Sequence, residues 1–237
     1  MKSITLSLIL LALSYSCEKA SAVPFNKKVA RMAPSQGAVI LCLGNSLTLG
    51  YHLPDPATQS YPAQLAKFQE FSSDTILNKG INGITTIQMY ARVNVDVTPY
   101  ISFFLPRMAI IQEIGNDIFW SGAKAWDAFS RFENYAHTLR YYGFNVVVMT
   151  NPERNNYFFG YAKTPGGDDS TVYQVKMDSA NRLIREFWIQ FANELADVAA
   201  DPRLARYSPT YFLPDHVHLS AKGYAVEDSV IVKSIYH

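Results

Sequence analysis

Apolar residues fall in short blocks along this chain, and the blocks alternate between two periods. Ala38-Val39-Ile40-Leu41-Cys42-Leu43 is continuous and stops at Gly44, the pattern of a strand buried on both faces. Asp74 to Asn78 reads as a weaker second strand, Met108 to Gln112 as a third, Phe144 to Met149 as a fourth and Leu195 to Ala199 as a short fifth. Between these runs the apolar spacing changes to three and four, which marks helices. Ile87, Tyr90, Val93 and Val97 form one such set, and Trp126, Phe129, Phe132, Ala136 and Leu139 another. A long helix over 172–194 carries Met177, Ala180, Ile184, Phe187 and Phe191 on one face, with Leu195 in line just beyond it. Ser60, followed by Pro62, and Ser220 are placed to cap two more helices, the last carrying Tyr224, Ile231 and Ile235.

Strands separated by helices imply right-handed βαβ crossovers. The expected fold is a single α/β domain, a three-layer α/β/α sandwich around a central, mainly parallel five-stranded sheet. In such sheets ligands bind beyond the carboxyl ends of the strands. A composition of 49% hydrophobic and 17% charged residues over 237 positions supports one sizeable core. With 21 Lys+Arg against 20 Asp+Glu and no basic stripe, a charge-driven nucleic-acid binder is excluded.

The first 22 residues change the picture. Lys2 precedes an apolar stretch from Ile4 to Leu13, and Ala20-Ser21-Ala22 supplies small residues for cleavage. An apolar stretch of about 10 residues is too short to span a bilayer, so residues 1–22 read as a signal peptide. The expected product is secreted or periplasmic, with a polar lead-in over 23–36 and one domain over 37–237. Cys17, after Leu13-Ser14-Tyr15-Ser16, resembles a lipobox cysteine with the leucine one place early, so a lipid anchor there is a second processing route. Either way Cys42 is left alone in an apolar run, the setting of a buried thiol.

Four polar segments stand at strand ends or before the last helix: Leu43-Gly44-Asn45-Ser46-Leu47-Thr48, Asn78-Lys79-Gly80-Ile81-Asn82-Gly83, Ile114-Gly115-Asn116-Asp117, and Leu213-Pro214-Asp215-His216-Val217-His218. The fold gathers them at one edge. Acyl transfer needs a hydroxyl held against a neutral imidazole, a carboxylate to orient that imidazole, and donors for the oxyanion. Ser46 supplies the hydroxyl and His218 the base. Asp215 lies three residues before His218, within reach of its Nδ1 across a turn. The backbone N–H groups of Ser46 and Gly83 and the Asn116 amide are the candidate oxyanion donors.

These segments, in this order, resemble the conserved blocks of the SGNH, or GDSL-like, hydrolase family. The resemblance runs from Gly44 to the C-terminus. It assigns Ser46 as nucleophile, Gly83 and Asn116 to the oxyanion hole, and the Asp-x-x-His block to Asp215 and His218. It implies a flavodoxin-like fold, ester hydrolysis without a cofactor, and a small-molecule or polysaccharide ester as substrate, either carbohydrate O-acetyl groups or short-chain lipid-like esters. Asn45 departs from the pattern, standing where the name-giving motif has Asp. Position 48 is Thr, so the Gly-x-Ser-x-Gly elbow of the larger α/β-hydrolases is not present.

The remaining signals are weaker. His216-Val217-His218 brings two imidazoles together, but no further ligands of metal-site spacing accompany them, so no metal site is expected. Gly166-Gly167-Asp168-Asp169 reads as a solvated loop. Trp120, four residues past Asn116, is the first choice for a substrate-contacting aromatic among Phe119, Trp120, Tyr157, Phe158, Phe159 and Tyr161. A non-catalytic carbohydrate- or lipid-binding module that kept the fold is the alternative reading, and a fluorophosphonate probe separates the two.

Overall fold

The computed structural model describes residues 37–101, 105–152 and 163–236. The expected signal segment 1–22 with Cys17, the expected lead-in 23–36, and the aromatics Tyr157, Phe158, Phe159 and Tyr161 lie outside the described residues. Five strands form the sheet: β1 (Val39–Gly44), β2 (Thr75–Gly80), β3 (Arg107–Gln112), β4 (Asn145–Met149) and β5 (Glu194–Ala196). All neighbours pair in parallel, in the order β2-β1-β3-β4-β5. This is the flavodoxin-type doubly wound order, whose switch point lies between β1 and β3.

The helices α1 (Ser46–Leu49), α2 (Pro56–Gln59) and α3 (Tyr61–Leu65) follow β1, and α4 (Thr86–Ala91) and α5 (Val93–Asp96) follow β2. After β3 come α6 (Gly115–Ser121) and α7 (Ala125–Tyr141), then α8 (Ser170–Phe191) and α9 (Ala221–Tyr236). None of the described helices is long and apolar enough to cross a membrane.

The apolar run of β1 divides by the two-residue strand period. Leu41 and Leu43 pack with Ala109, Ile111, Val146 and Val148 against α7 and α8. Ile40 and Cys42 pack with Met108, Ile110 and Val147 against α3 and α9. Cys42 is buried and free, and burial pushes its thiol well up from the usual range. β2 is an edge strand with no fully buried residue, which is why its sequence signal is weak.

Several expectations are corrected. The Ile87–Val97 set is not one continuous helix: the chain breaks at Arg92, and Ile87 and Tyr90 face solvent while Met89, Val93 and Val97 are buried. Trp126 is exposed too, leaving Phe129, Phe132, Ala136 and Leu139 as the buried face of α7. Ser60 stands before α3 but makes no side-chain cap. The long helix starts earlier, at Ser170, where the Asp169 side chain accepts from Val172 N, and ends at Phe191. Gly166–Asp169 is a loop, as expected, with Gly167 and Asp169 exposed, although Asp168 is tied down by Lys176 Nζ at 2.6 Å. β5 ends at Ala196 because the Asp197 carboxylate turns to Thr150 Oγ1 and Arg185 Nε, and a 3₁₀ turn follows. Ser220 does cap α9: its hydroxyl accepts from Gly223 N and its carbonyl from Tyr224 N.

Where β3 ends, Gln112 Nε2 donates to the buried Glu227 carboxyl of α9 at 2.6 Å. Burial pushes Glu227 up to about 8, and the Gln112 hydrogen bond offsets only part of this. Burial, reinforced by Glu227, raises the adjacent Asp228 carboxyl as well. A carboxyl that stays protonated in the fold but ionises in the unfolded chain makes the folded state the one with more bound protons. Stability from Glu227 therefore falls as pH rises from its ordinary 4.5 to about 8. Glu227→Gln removes that penalty. Thermal unfolding should show the variant melting above the parent at about pH 9, with the difference shrinking at about pH 5.

Candidate active site

The carboxyl ends of β1 and β3 flank the switch point, and the site is assembled there. β1 ends at Gly44, where a Cβ would stand 2.2 Å from Thr48 Oγ1 and 2.5 Å from the Gln112 carbonyl oxygen. Only glycine lets the chain turn so tightly against both. Asn45 then caps α1, its Oδ1 accepting from Leu47 N at 2.8 Å. Ser46 thus becomes the first residue of the helix, with 6% of its surface exposed.

His218 reaches Ser46 from 172 positions away, its Nε2 2.9 Å from Ser46 Oγ. Its Nδ1 is 2.8 Å from Asp215 Oδ2. The short spacing works because the segment folds on itself. Leu213 N donates to the His218 carbonyl, Phe212 and Leu219 form an antiparallel bridge, and Asp215 Oδ1 accepts from both Val217 N and His218 N. Burial raises the Asp215 carboxyl, but the His218 side chain and those two backbone donors outweigh it and hold the group down to about 2. A carboxylate can only accept. The proton between the two residues therefore sits on His218 Nδ1, and the Nε2 lone pair faces the serine hydroxyl.

The other two segments meet beside this group. Gly83 has φ +74°, a left-handed conformation that suits glycine. Asn116 Nδ2 donates to the Ile84 carbonyl at 2.9 Å, so the asparagine amide is fixed to the Gly83 loop. Asp117, fully buried, accepts from Thr86 N and from Arg131 Nη1, pinning the same loop to α6 a second time. Trp120 is 47% exposed, and its Nε1 is 3.9 Å from where a Gly83 Cβ would stand. An open groove of about 410 Å³ adjoins Gly83, lined by Ile81, Asn82, Ile84, Gln88, Ala91 and Arg92. A larger groove, about 870 Å³, runs between α4 and α7 and contains none of the sequence-predicted site residues.

The structure thus brings the four segments together, and the Ser46–His218–Asp215 chain closes by two hydrogen bonds. Sequence reading missed three features. Tyr51 and His52 both set their rings 5.4 Å from that of His218. Fully buried Glu113 accepts from Asn45 Nδ2 and from Asn116 N. The imidazole pair is also rearranged. His216 stacks flat on Tyr207, centroids 3.7 Å apart, and it is His52 whose donor atom lies within 4.8 Å of those of Asp215 and His218.

A parallel sheet with such a constellation at its switch point defines a class of α/β hydrolytic enzymes. Residues 42–226 match the model of the GDSL-like Lipase/Acylhydrolase family. The chain belongs to this family and is a carboxylic ester hydrolase. No curated protein matches it in sequence. Among solved structures it is similar to a member of the lipolytic G-D-S-L family from Veillonella parvula, at 16% identity and TM-score 0.63, over 83% of this chain and 97% of that one. TesA is similar at 16% identity and TM-score 0.64, over 84% and 98% of the two chains. An acetylxylan esterase from Geobacillus stearothermophilus gives 16% identity and TM-score 0.60, over 85% and 95%. At such identities the likeness is one of fold, and it agrees with the sheet order found here.

Proposed function

We propose that the protein is an exported serine esterase that cleaves carboxylic esters through an acyl-enzyme on Ser46. The observation that carries this reading is the continuous hydrogen-bond chain Ser46 Oγ–His218–Asp215. Ser46 Oγ attacks the ester carbonyl carbon as its proton passes to His218 Nε2. The carbonyl oxygen becomes an oxyanion held by Ser46 N–H, Gly83 N–H and the second Asn116 amide hydrogen, the first being tied to Ile84. Collapse expels the alcohol, which takes the proton from His218. Water, deprotonated by the same imidazole, then releases the acid. Asp215 stays ionised throughout, since its proton leaves at about pH 2.

Asn116→Ala removes one oxyanion donor and should lower kcat by roughly 10²–10³-fold with little change in KM. Steady-state kinetics on p-nitrophenyl acetate measures both. Asn116 also anchors Ile84, so the loss should sit at the upper end of that range.

For the substrate, the reading is a small acyl group on a carbohydrate or a short-chain lipid-like ester. Exposed Trp120 beside Gly83 and the open, partly polar groove support a ligand that stays largely at the surface. The acetylxylan esterase that shares the fold acts on an ester of the first kind. Acetylated xylan and p-nitrophenyl esters of increasing chain length discriminate the two. Release of acetate from xylan supports the carbohydrate reading, and rates that rise with chain length contradict it. Export rests on the sequence of residues 1–22, as does lipidation at Cys17.

A further inference from the structure

The family's name-giving motif has Asp where this chain has Asn45, yet a carboxylate still lies against that position. It comes from Glu113, the residue after β3, 68 positions away. Glu113 is fully buried. One oxygen accepts from Asn45 Nδ2, and the other accepts from Asn116 N at 2.8 Å and Asp117 N at 3.2 Å. Asn45 in turn caps the helix that begins with Ser46. The same carboxylate therefore grips both the serine turn, through Asn45, and the asparagine turn, through Asn116 and Asp117.

We infer that Glu113 is the positioning residue that sets the serine turn and the Asn116 turn at the spacing the oxyanion hole requires, and that it does so in reciprocal partnership with Asn45. This rests on the esterase reading above. Two of the three oxyanion donors, Ser46 N–H and the Asn116 amide, belong to the two turns Glu113 joins. Oxyanion stabilisation depends on donors preset within a few tenths of an ångström, so a group joining the two turns acts on the chemical step. The intervening residue, Ile114, has φ +149°. That region is sparsely populated by β-branched residues and persists only where its surroundings impose it. The Glu113 bonds to Asn116 N and Asp117 N, on the far side of Ile114, are such an imposition.

The partnership has a polarity that can be reversed. Asn45 uses its oxygen on Leu47 N and its nitrogen on Glu113, so donor meets acceptor. Glu113→Gln keeps one oxygen for Asn116 N and Asp117 N but turns an amide NH₂ toward the Asn45 NH₂, donor against donor. Asn45→Asp alone sets two carboxylates face to face. The double variant Asn45→Asp/Glu113→Gln restores one donor and one acceptor, keeps the cap on Leu47, and moves the charge to the position the family motif gives it.

The test is steady-state kinetics, thermal melting and fluorophosphonate labelling of the full chain and the three variants. Each single variant should lose roughly 10²-fold in kcat with KM unchanged within about threefold, the signature of an interaction made in the transition state. The double variant should recover to within about tenfold of the parent. Single variants that keep parental kcat overturn the proposal. So does a loss confined to KM, or a double variant no better than the worse single one. Should a single variant fail to fold, recovery of both fold and kcat in the double variant still supports the reciprocal pairing, and a double variant that folds without recovering kcat contradicts it. A parent that neither hydrolyses esters nor takes the probe at Ser46 sinks the esterase reading itself, whereas a reactive parent with indifferent Glu113 variants sinks only the positioning role.

Discussion

Ser46→Ala should reduce ester turnover by about 10⁶-fold while the protein remains folded, leaving only the rate the oxyanion donors and binding supply. The hydroxyl is the atom that forms the new bond, and no neighbour replaces it: its observed partner is His218 Nε2, the base itself. The structural cost is small by comparison. Alanine fits at the first position of α1, the Asn45 cap bonds Leu47 rather than Ser46, and the change leaves one imidazole nitrogen without its partner, worth about 1–3 kcal/mol. Initial rates on p-nitrophenyl acetate, read beside a thermal melt of the same preparation, separate loss of chemistry from loss of fold.

Asp215→Asn should cost about 10⁴-fold in kcat, for a different reason. The asparagine oxygen can still accept from Val217 N and His218 N, so the turn survives. Its NH₂ then faces His218 Nδ1, where Oδ2 now stands at 2.8 Å. A donor there selects the tautomer with its lone pair on Nδ1 and its hydrogen on Nε2. That hydrogen points at Ser46, and the imidazole can no longer take the serine proton. A pH–rate series on the variant checks this. The loss should persist across the neutral range, because it comes from the tautomer and not from a displaced titration.

The centre of the sheet was legible because β1, β3 and β4 are buried on both faces and so read as apolar runs; β1 extends one residue beyond its run only because Gly44 still pairs with Gly80 and Gln112. Helical faces were less legible. Ile87 and Tyr90 carry the right spacing, but the break at Arg92 changes the phase, and Met89 takes the buried side. β5 was read too long because nothing local in Asp197 announces that Thr150 and Arg185 will claim its carboxylate. The candidate site divides the same way. Ser46, Gly83, Asn116, Asp215 and His218 each sit in a segment with its own turn signal. Glu113 has none: a glutamate at a strand end looks like an ordinary polar stop, and its meaning depends on Asn45, distant in sequence. His52 was hidden likewise, since only the turn after Gly50 brings it toward His218.

The most direct measurement is the intact mass of the protein after fluorophosphonate treatment, with peptide mapping of the adduct. A single adduct on Ser46 is expected, lost in Ser46→Ala and formed far more slowly in His218→Ala. An adduct of undiminished yield in Ser46→Ala, or a folded parent that stays unlabelled while active esterases label under the same conditions, would contradict it.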